Sequence, residues 1–468
     1  MKRTLTLAVA ALVAASSLAA QPAAPTGVTL PQYSEVALPN GATLLLMEKR
    51  DVPLVSFTAL IRGGSIADPA GKEGLASLTA DLLKKGAGKR NAAQFAEAVD
   101  SSGAILNTNA TREAVVIQGQ FLTRDIDLMT ELLSDLLRRP SFPESELLKE
   151  RDRAVDSLRA AKDADLRSLI GNYANAFLYG DHPYSKPPIG TEATLSKLTR
   201  ADVQSYYRNN FGGDRLILAV AGDFDAAALG GKLRAALGDW PKAAAPLPTV
   251  NAFSAAKGRR VLLVDKPDAT QTYFWIGNVG VSRGDKETAA IDLANTVFGG
   301  RFTSLLNTAL RIESGLTYGA RSAMGRYAQP GPVGISSYTK TESTGEAVDL
   351  ALKVLARYHE TGMDDATLAS AKSYVLGQFP PDLETASQLA ARLAEIELYG
   401  LDRSDVDAYG KNISAATRAD ITRTIARVYP KAENLTFVFI GQADAIRDTV
   451  KKYGPVTEMK ITDPSFTP

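Results

Sequence analysis

The chain has 468 residues, is 45% hydrophobic, sets 53 Lys and Arg against 52 Asp and Glu for a formal charge of +1, and contains no cysteine. That length exceeds a single core and predicts two or more domains. Balanced charge without a basic block argues against a nucleic-acid partner, and the missing thiols exclude disulfides, thiol catalysis and a lipid-anchored lipoprotein.

The first residues read MKRTLTLAVAALVAASSLAAQPAAP. Basic Lys2 and Arg3, an apolar run to Ala15 and small residues at Ala19 and Ala20 form the pattern of a secretory signal peptide over residues 1–20. The run is short for a bilayer span, and no later segment is long and apolar enough. The mature chain is therefore expected in the periplasm, with no membrane span after signal cleavage.

VALPNGATLLLMEK and SFTALIRGG then read as strands. From Gly71 to Lys85, GKEGLASLTADLLKK places Leu75, Leu78, Leu82 and Leu83 on one helical face and Ser77, Ala80 and Asp81 on the other. The plainest reading of Ser77 and Asp81 is a solvated polar face. Lys84, Lys85, Lys89 and Arg90 read equally plainly as wet surface. SSGAILNTNATREAVVIQGQF, residues 101–121, reads as sheet. ERDRAVDSLRAA, residues 150–161, reads as a helix carrying Glu150 and Ser157. His182 sits in the turn GDHPY, and His359 lies in a helix and looks solvated. They are the only two histidines and lie far apart in sequence, so a two-histidine zinc site would need both.

The segment 239–260, DWPKAAAPLPTVNAFSAAKGRR, lacks a helical or strand period and reads as a linker between domains at 27–238 and 261–460. The halves repeat. TRADVQSYYRNNFGGDRLILAVAGDFD from Thr199 matches TRADITRTIARVYPKAENLTFVFIGQAD from Thr417, an offset of 218 residues (417 minus 199). The second half also opens with strands, RRVLLVDK and TYFWIGNVGV, before several helices. These repeats imply a duplicated α+β domain.

FGGRFTSLLNTALRIESGLTYGARS, residues 298–322, holds the candidates of the second half. Gly299 and Gly300 either let a peptide backbone approach closely or begin a helix where a side chain would clash. Arg311, an obligate cation, and Tyr318, a phenol donor, suit developing negative charge. The plain alternatives are that Arg311 satisfies carbonyls at a helix end capped by Gly315 while Tyr318 packs in a strand.

Together, the stretches 62–90, 150–161 and 298–322 resemble the pitrilysin/insulinase family of metallopeptidases over essentially the whole mature chain. Active members carry H-x-x-E-H, two zinc-ligating histidines and a general-base glutamate, with a further glutamate ligand on a later helix. In that register this chain has Ser77 and Asp81 at the histidine positions, Ala80 at the base and Ser157 at the third ligand. Glu150 matches an acidic helper. No zinc is therefore expected in this chain. The resemblance implies two homologous domains, each a mixed β-sheet packed with helices on one side, arranged as a clam shell. It further implies that Asn107 lies on an edge strand that accepts extended peptide. Arg311 and Tyr318 match the pair that reaches over the zinc site toward the substrate oxyanion.

The expected function is the non-metal subunit of a heterodimeric zinc peptidase. Its partner is a homologous subunit with an intact H-x-x-E-H that supplies zinc, and its substrates are peptides. The alternative is a catalytically inert peptide-binding or assembly protein of the same fold. Hydrolysis by this chain alone through serine is disfavoured, because no Ser/His/Asp arrangement is visible.

Overall fold

The computed structural model describes residues 27–254 and 257–468, so the expected signal peptide lies outside the described residues. Two six-stranded sheets organise the chain. The first contains β1 (Ser34–Ala37), β2 (Thr43–Glu48), β3 (Leu54–Arg62), β4 (Ile105–Ala110), β5 (Ala114–Leu122) and β6 (Leu216–Gly222), in the spatial order β1-β2-β6-β3-β5-β4. The second contains β7 (Arg260–Asp265), β8 (Gln271–Val279), β9 (Arg321–Arg326), β10 (Pro330–Lys340), β11 (Thr436–Gly441) and β12 (Val456–Lys460), in the order β9-β10-β8-β11-β7-β12. Reading the first sheet backwards, five positions coincide: β4 with β9, β5 with β10, β3 with β8, β6 with β11, β2 with β7. The duplication seen in the sequence is a duplication of sheet topology.

The sixth strand breaks the symmetry. β1 lies antiparallel on β2, whereas β12 lies parallel on β7. The stretch VALPNGATLLLMEK, expected as one strand, turns in its middle: Leu38 N–H donates to Ala42 O at 2.8 Å, and Gly41 takes φ +97°. Asn40–Gly41 is a strong hairpin signal, and it outweighs the flanking hydrophobic run.

Each strand alternates its side chains between two cores. Leu44, Leu46, Val55 and Phe57 face the first half's own helices. Leu45, Met47, Ile217, Ala219 and Ala221 face the other way, onto helix Ala386–Leu398, which belongs to the second half. The exchange is reciprocal. Leu166, Ile170 and Tyr173 of helix Leu166–Tyr179 share a core with Leu262, Val264, Trp275, Val438 and Ile440 of the second sheet. Own helices thus occupy one face of each sheet, and a helix lent by the other half covers the second. Arg283, 8% exposed at its side chain, fastens the arrangement by pairing with Glu395 of the lent helix at 2.9 Å and with Asp405 at 2.7 Å.

Burying one large apolar side chain is worth about 1.5–3 kcal/mol, so parting the halves would strip several such contributions from both interfaces. The segment between the halves has no regular secondary structure among its described residues from 239 to 259. It is nonetheless pinned. Ala244 and Ala245 donate to Arg208 O and Asn209 O, and Phe253 packs 5.0 Å from Tyr179.

Candidate functional site

Helix Leu75–Leu83 begins where Asp68, 2% exposed, accepts from Gly74 N at 2.9 Å and Ala76 N at 2.8 Å. The carboxylate satisfies two donors that a helix start leaves unpaired. Gly74 is required there: its φ is +93°, and a Cβ would lie 2.7 Å from Gly190 Cα. The four leucines are buried as expected.

The opposite face is not solvated, which corrects the sequence reading. Ala80 is fully buried, while Ser77 and Asp81 are half-buried. The reason is that this helix packs on β4, on helix Arg200–Asn210 and on helix Glu144–Ala164 as well as on its own core. Ser77 Oγ donates to Pro188 O at 2.7 Å. Burial pushes the Asp81 carboxyl up to about 6, reinforced by the nearby charge of Glu150. Glu150, 7% exposed, is held by Lys85 at 2.7 Å and Arg153 at 3.0 Å. Lys85 is therefore engaged rather than free, and Arg90 likewise pairs with Glu131 and Asp135. Ser157 lies on the Glu150 helix, exposed.

These residues do not fit zinc. Ala80 offers no donor, Ser77 Oγ is committed to a carbonyl, and Asp81, with Glu150 as its acidic neighbour, sits where its charge is disfavoured. Among the described residues no group of three or more His, Cys, Asp or Glu side chains could hold a metal ion. The two histidines do other work. His182 Nδ1 accepts from Tyr184 N, and its Nε2 lies 3.0 Å from Asn251 O. His359 is half-buried rather than solvated, with Nε2 3.4 Å from Pro430 O.

In the second half, Arg311 occupies a π-helical turn, Thr308–Glu313, and Tyr318 the loop after it. Gly315 between them takes φ +66°, the cap the sequence suggests. The Arg311 guanidinium lies 4.7 Å from the Tyr318 ring centroid and 4.9 Å from that of Phe302, sandwiched between two aromatic faces. Tyr318 is 74% exposed, so it does not pack in a strand. Phe302, Leu305, Ile312 and Tyr318 are all exposed large side chains within seventeen residues of chain (302 to 318). Sequence reasoning missed Phe302. An aromatic two residues after the glycine pair was the available signal.

Gly299 and Gly300 close a second π-helical turn, Thr296–Gly300. A Cβ on Gly299 would lie 2.2 Å from Ser322 N, and one on Gly300 3.0 Å from Asn295 O. Gly299 is thus dictated by the close approach of this turn to β9. Both glycines also line a cleft of about 300 Å³, shared with Phe302, Arg321 and Arg167. Asn107 is exposed on β4, which among the described residues pairs with β5 alone and forms one edge of the first sheet. No hydrogen bond or ion pair among the described residues joins the Ser77–Asp81 group to the Arg311–Tyr318 group, so the two lie in different halves as separate features.

Comparison with known proteins gives a consistent picture. Residues 44–192 match the family described as insulinase (peptidase family M16), and residues 197–375 match the peptidase M16 inactive domain. An uncharacterized zinc protease of Mycobacterium tuberculosis is 27% identical over 385 residues, covering 82% of this chain and 87% of the relative. A non-peptidase homolog of Helicobacter pylori is 26% identical over 349 residues, covering 73% and 78%. Among solved structures, a peptidase M16 inactive domain from Pseudomonas fluorescens superimposes with a TM-score of 0.81 at 21% identity, over 88% of this chain and 98% of that one. A protease from Helicobacter pylori superimposes with a TM-score of 0.80 at 20% identity, over 88% and 100%. Among the described residues no helix is long and apolar enough to cross a membrane.

Proposed function

Since the chain belongs to the insulinase (M16) peptidase family and lacks that family's zinc-motif residues, we propose that it is the non-metal subunit of a two-chain peptidase. A homologous companion with an intact H-x-x-E-H would supply zinc, which activates water and polarises the scissile carbonyl. This chain's contribution is Arg311 and Tyr318, together with surface that receives the peptide. The assembly would work in the periplasm, where the expected signal peptide delivers it.

The observation that carries the reading is the Arg311 sandwich. Two aromatic faces fix the direction of the guanidinium, and Arg311 forms no ion pair among the described residues. A cation held in place and left uncompensated stabilises an anion with little reorganisation. The exposed apolar side chains around it are the composition of a surface that meets another molecule. Tyr318 adds a hydroxyl donor beside the cation.

The name of the Helicobacter relative, a non-peptidase homolog, favours a second reading, an inert peptide-binding or assembly protein. Mixing decides between them. Purified chain combined with an H-x-x-E-H homologue from the same organism should cleave an unfolded peptide that neither cleaves alone. A mixture no faster than the homologue by itself supports the inert protein.

A further inference from the structure

The cleft beside the Gly299–Gly300 turn is lined by Arg167, Arg301 and Arg321 and, among the described residues, by no acidic side chain. Arg167 comes from helix Leu166–Tyr179, lent by the first half, Arg301 from the end of the turn and Arg321 from the first residue of β9, so three separate elements deliver cations to one place. None of the three forms an ion pair among the described residues. Their engagements are with neutral groups. Arg167 lies 6.0 Å from the Tyr338 ring centroid, and Tyr338 stacks on Tyr273 at 5.2 Å. Arg301 lies 6.0 Å from the Tyr374 ring, donates from Nη1 to Ser370 Oγ at 3.0 Å, and leaves its buried Nε without an acceptor. Asp165, which caps helix Leu166–Tyr179 by accepting from Ser168 N at 3.3 Å, does not line the cleft, and its charge reaches the cleft wall at Tyr273, as that of Arg167 does.

Other clustered arginines of this chain are neutralised: Arg283 meets two carboxylates, and Arg427 pairs with both Asp285 and Glu287. A protein of net charge +1 that gathers three unpaired guanidinium groups around one cleft concentrates positive potential there. Like charges so placed repel one another until an anion enters between them. The cleft's size of about 300 Å³ suits a few residues of extended chain. The stacked Tyr273–Tyr338 pair offers a flat apolar wall.

We infer that this cleft binds acidic peptide segments, with Arg167 and Arg321 as the residues that select for carboxylates. The inference deepens the reading of this chain as a peptide-receiving subunit and rests on it for the choice of a peptide. Arg167 and Arg321 are exposed, so replacing them leaves both cores intact, whereas Arg301 is partly built into its turn.

The test uses the isolated chain with no zinc-bearing companion, so its outcome is independent of whether Arg311 and Tyr318 serve catalysis. Binding of a fluorescein-labelled octapeptide with four glutamates is followed by anisotropy, beside the same peptide with glutamines and with lysines. The glutamate peptide should bind about tenfold tighter than the glutamine one and weaken as salt rises from about 50 to 300 mM. Arg167→Gln and Arg321→Gln should each lose most of that preference while keeping the far-ultraviolet circular dichroism of the parent. Equal binding of glutamate and glutamine peptides overturns the inference. So does preference retained in both folded variants, or tighter binding of single-stranded oligothymidine than of the acidic peptide.

Discussion

The Arg311 guanidinium lies 4.7 Å from the centre of the Tyr318 ring, and Tyr318 is nevertheless 74% exposed. The ring orients the cation, while the hydroxyl remains at the surface as a separate donor. These two contributions can be divided by substitution. Tyr318→Phe keeps the stacked face and removes only the donor, so the melting temperature should stay within about 1 °C, because surface changes of this kind usually cost under about 0.5 kcal/mol. Phe302→Ala removes one wall of the sandwich and should weaken turnover of the reconstituted assembly without abolishing it. A Phe302→Ala assembly with full activity would mean that the sandwich does not position Arg311.

The two glycines of the Thr296–Gly300 turn should respond unequally. A methyl at Gly299 meets the backbone of β9 at 2.2 Å, whereas a methyl at Gly300 meets a carbonyl at 3.0 Å. Gly299→Ala is expected to destabilise by about 2–3 kcal/mol, the range for forced overpacking, and Gly300→Ala by clearly less. Chemical denaturation with matched slopes measures both.

Asp81 predicts a pH dependence. Its carboxyl is raised in the fold from about 4 to about 6, so ionisation costs more folded than unfolded. Stability from this group is fully present below pH 4, is lost as pH rises from about 4 to 6, and stays lost above. Asp81→Asn should therefore stabilise the chain at pH 7.5 by about 1–2 kcal/mol, discounted for partial exposure, and change little at pH 4. Equal effects at both pH values would remove the electrostatic explanation.

The reciprocal loan of helices predicts one unfolding transition for both halves. Unfolding either half strips the second sheet face of the other, where Leu45 and Met47 or Leu262 and Val264 lie. Calorimetry should give a single peak whose van't Hoff and calorimetric enthalpies agree. Arg283→Ala should lower that peak by the equivalent of about 1–3 kcal/mol, because Glu395 and Asp405 lose their buried cation and keep only Arg392, at 3.1 and 3.7 Å. Two resolved peaks would show the halves to be energetically separate.

Much of this organisation was legible in the sequence, for identifiable reasons. Helix Leu75–Leu83 shows its buried face through leucine spacing, and the duplication shows through repeated TRAD and apolar-strand segments. What the sequence concealed was tertiary. Nothing local marks Ala386–Leu398 or Leu166–Tyr179 as helices that cross to the other half, since an apolar face does not state which sheet it covers. The half-burial of Ser77 and Asp81 was hidden for the same reason, because their cover comes from segments distant in the chain. The three-arginine cleft required the fold to bring residues 167, 301 and 321 together.

The most direct test of the central claim measures zinc and turnover on the same preparations. The isolated chain should carry far less than one equivalent of zinc and hydrolyse nothing. Combined with an H-x-x-E-H companion it should support hydrolysis, which Tyr318→Phe or Arg311→Ala lowers about 100- to 1000-fold in kcat with assembly unchanged. One tightly held equivalent of zinc together with hydrolysis by the chain alone, or full kcat in both variants, would contradict the account.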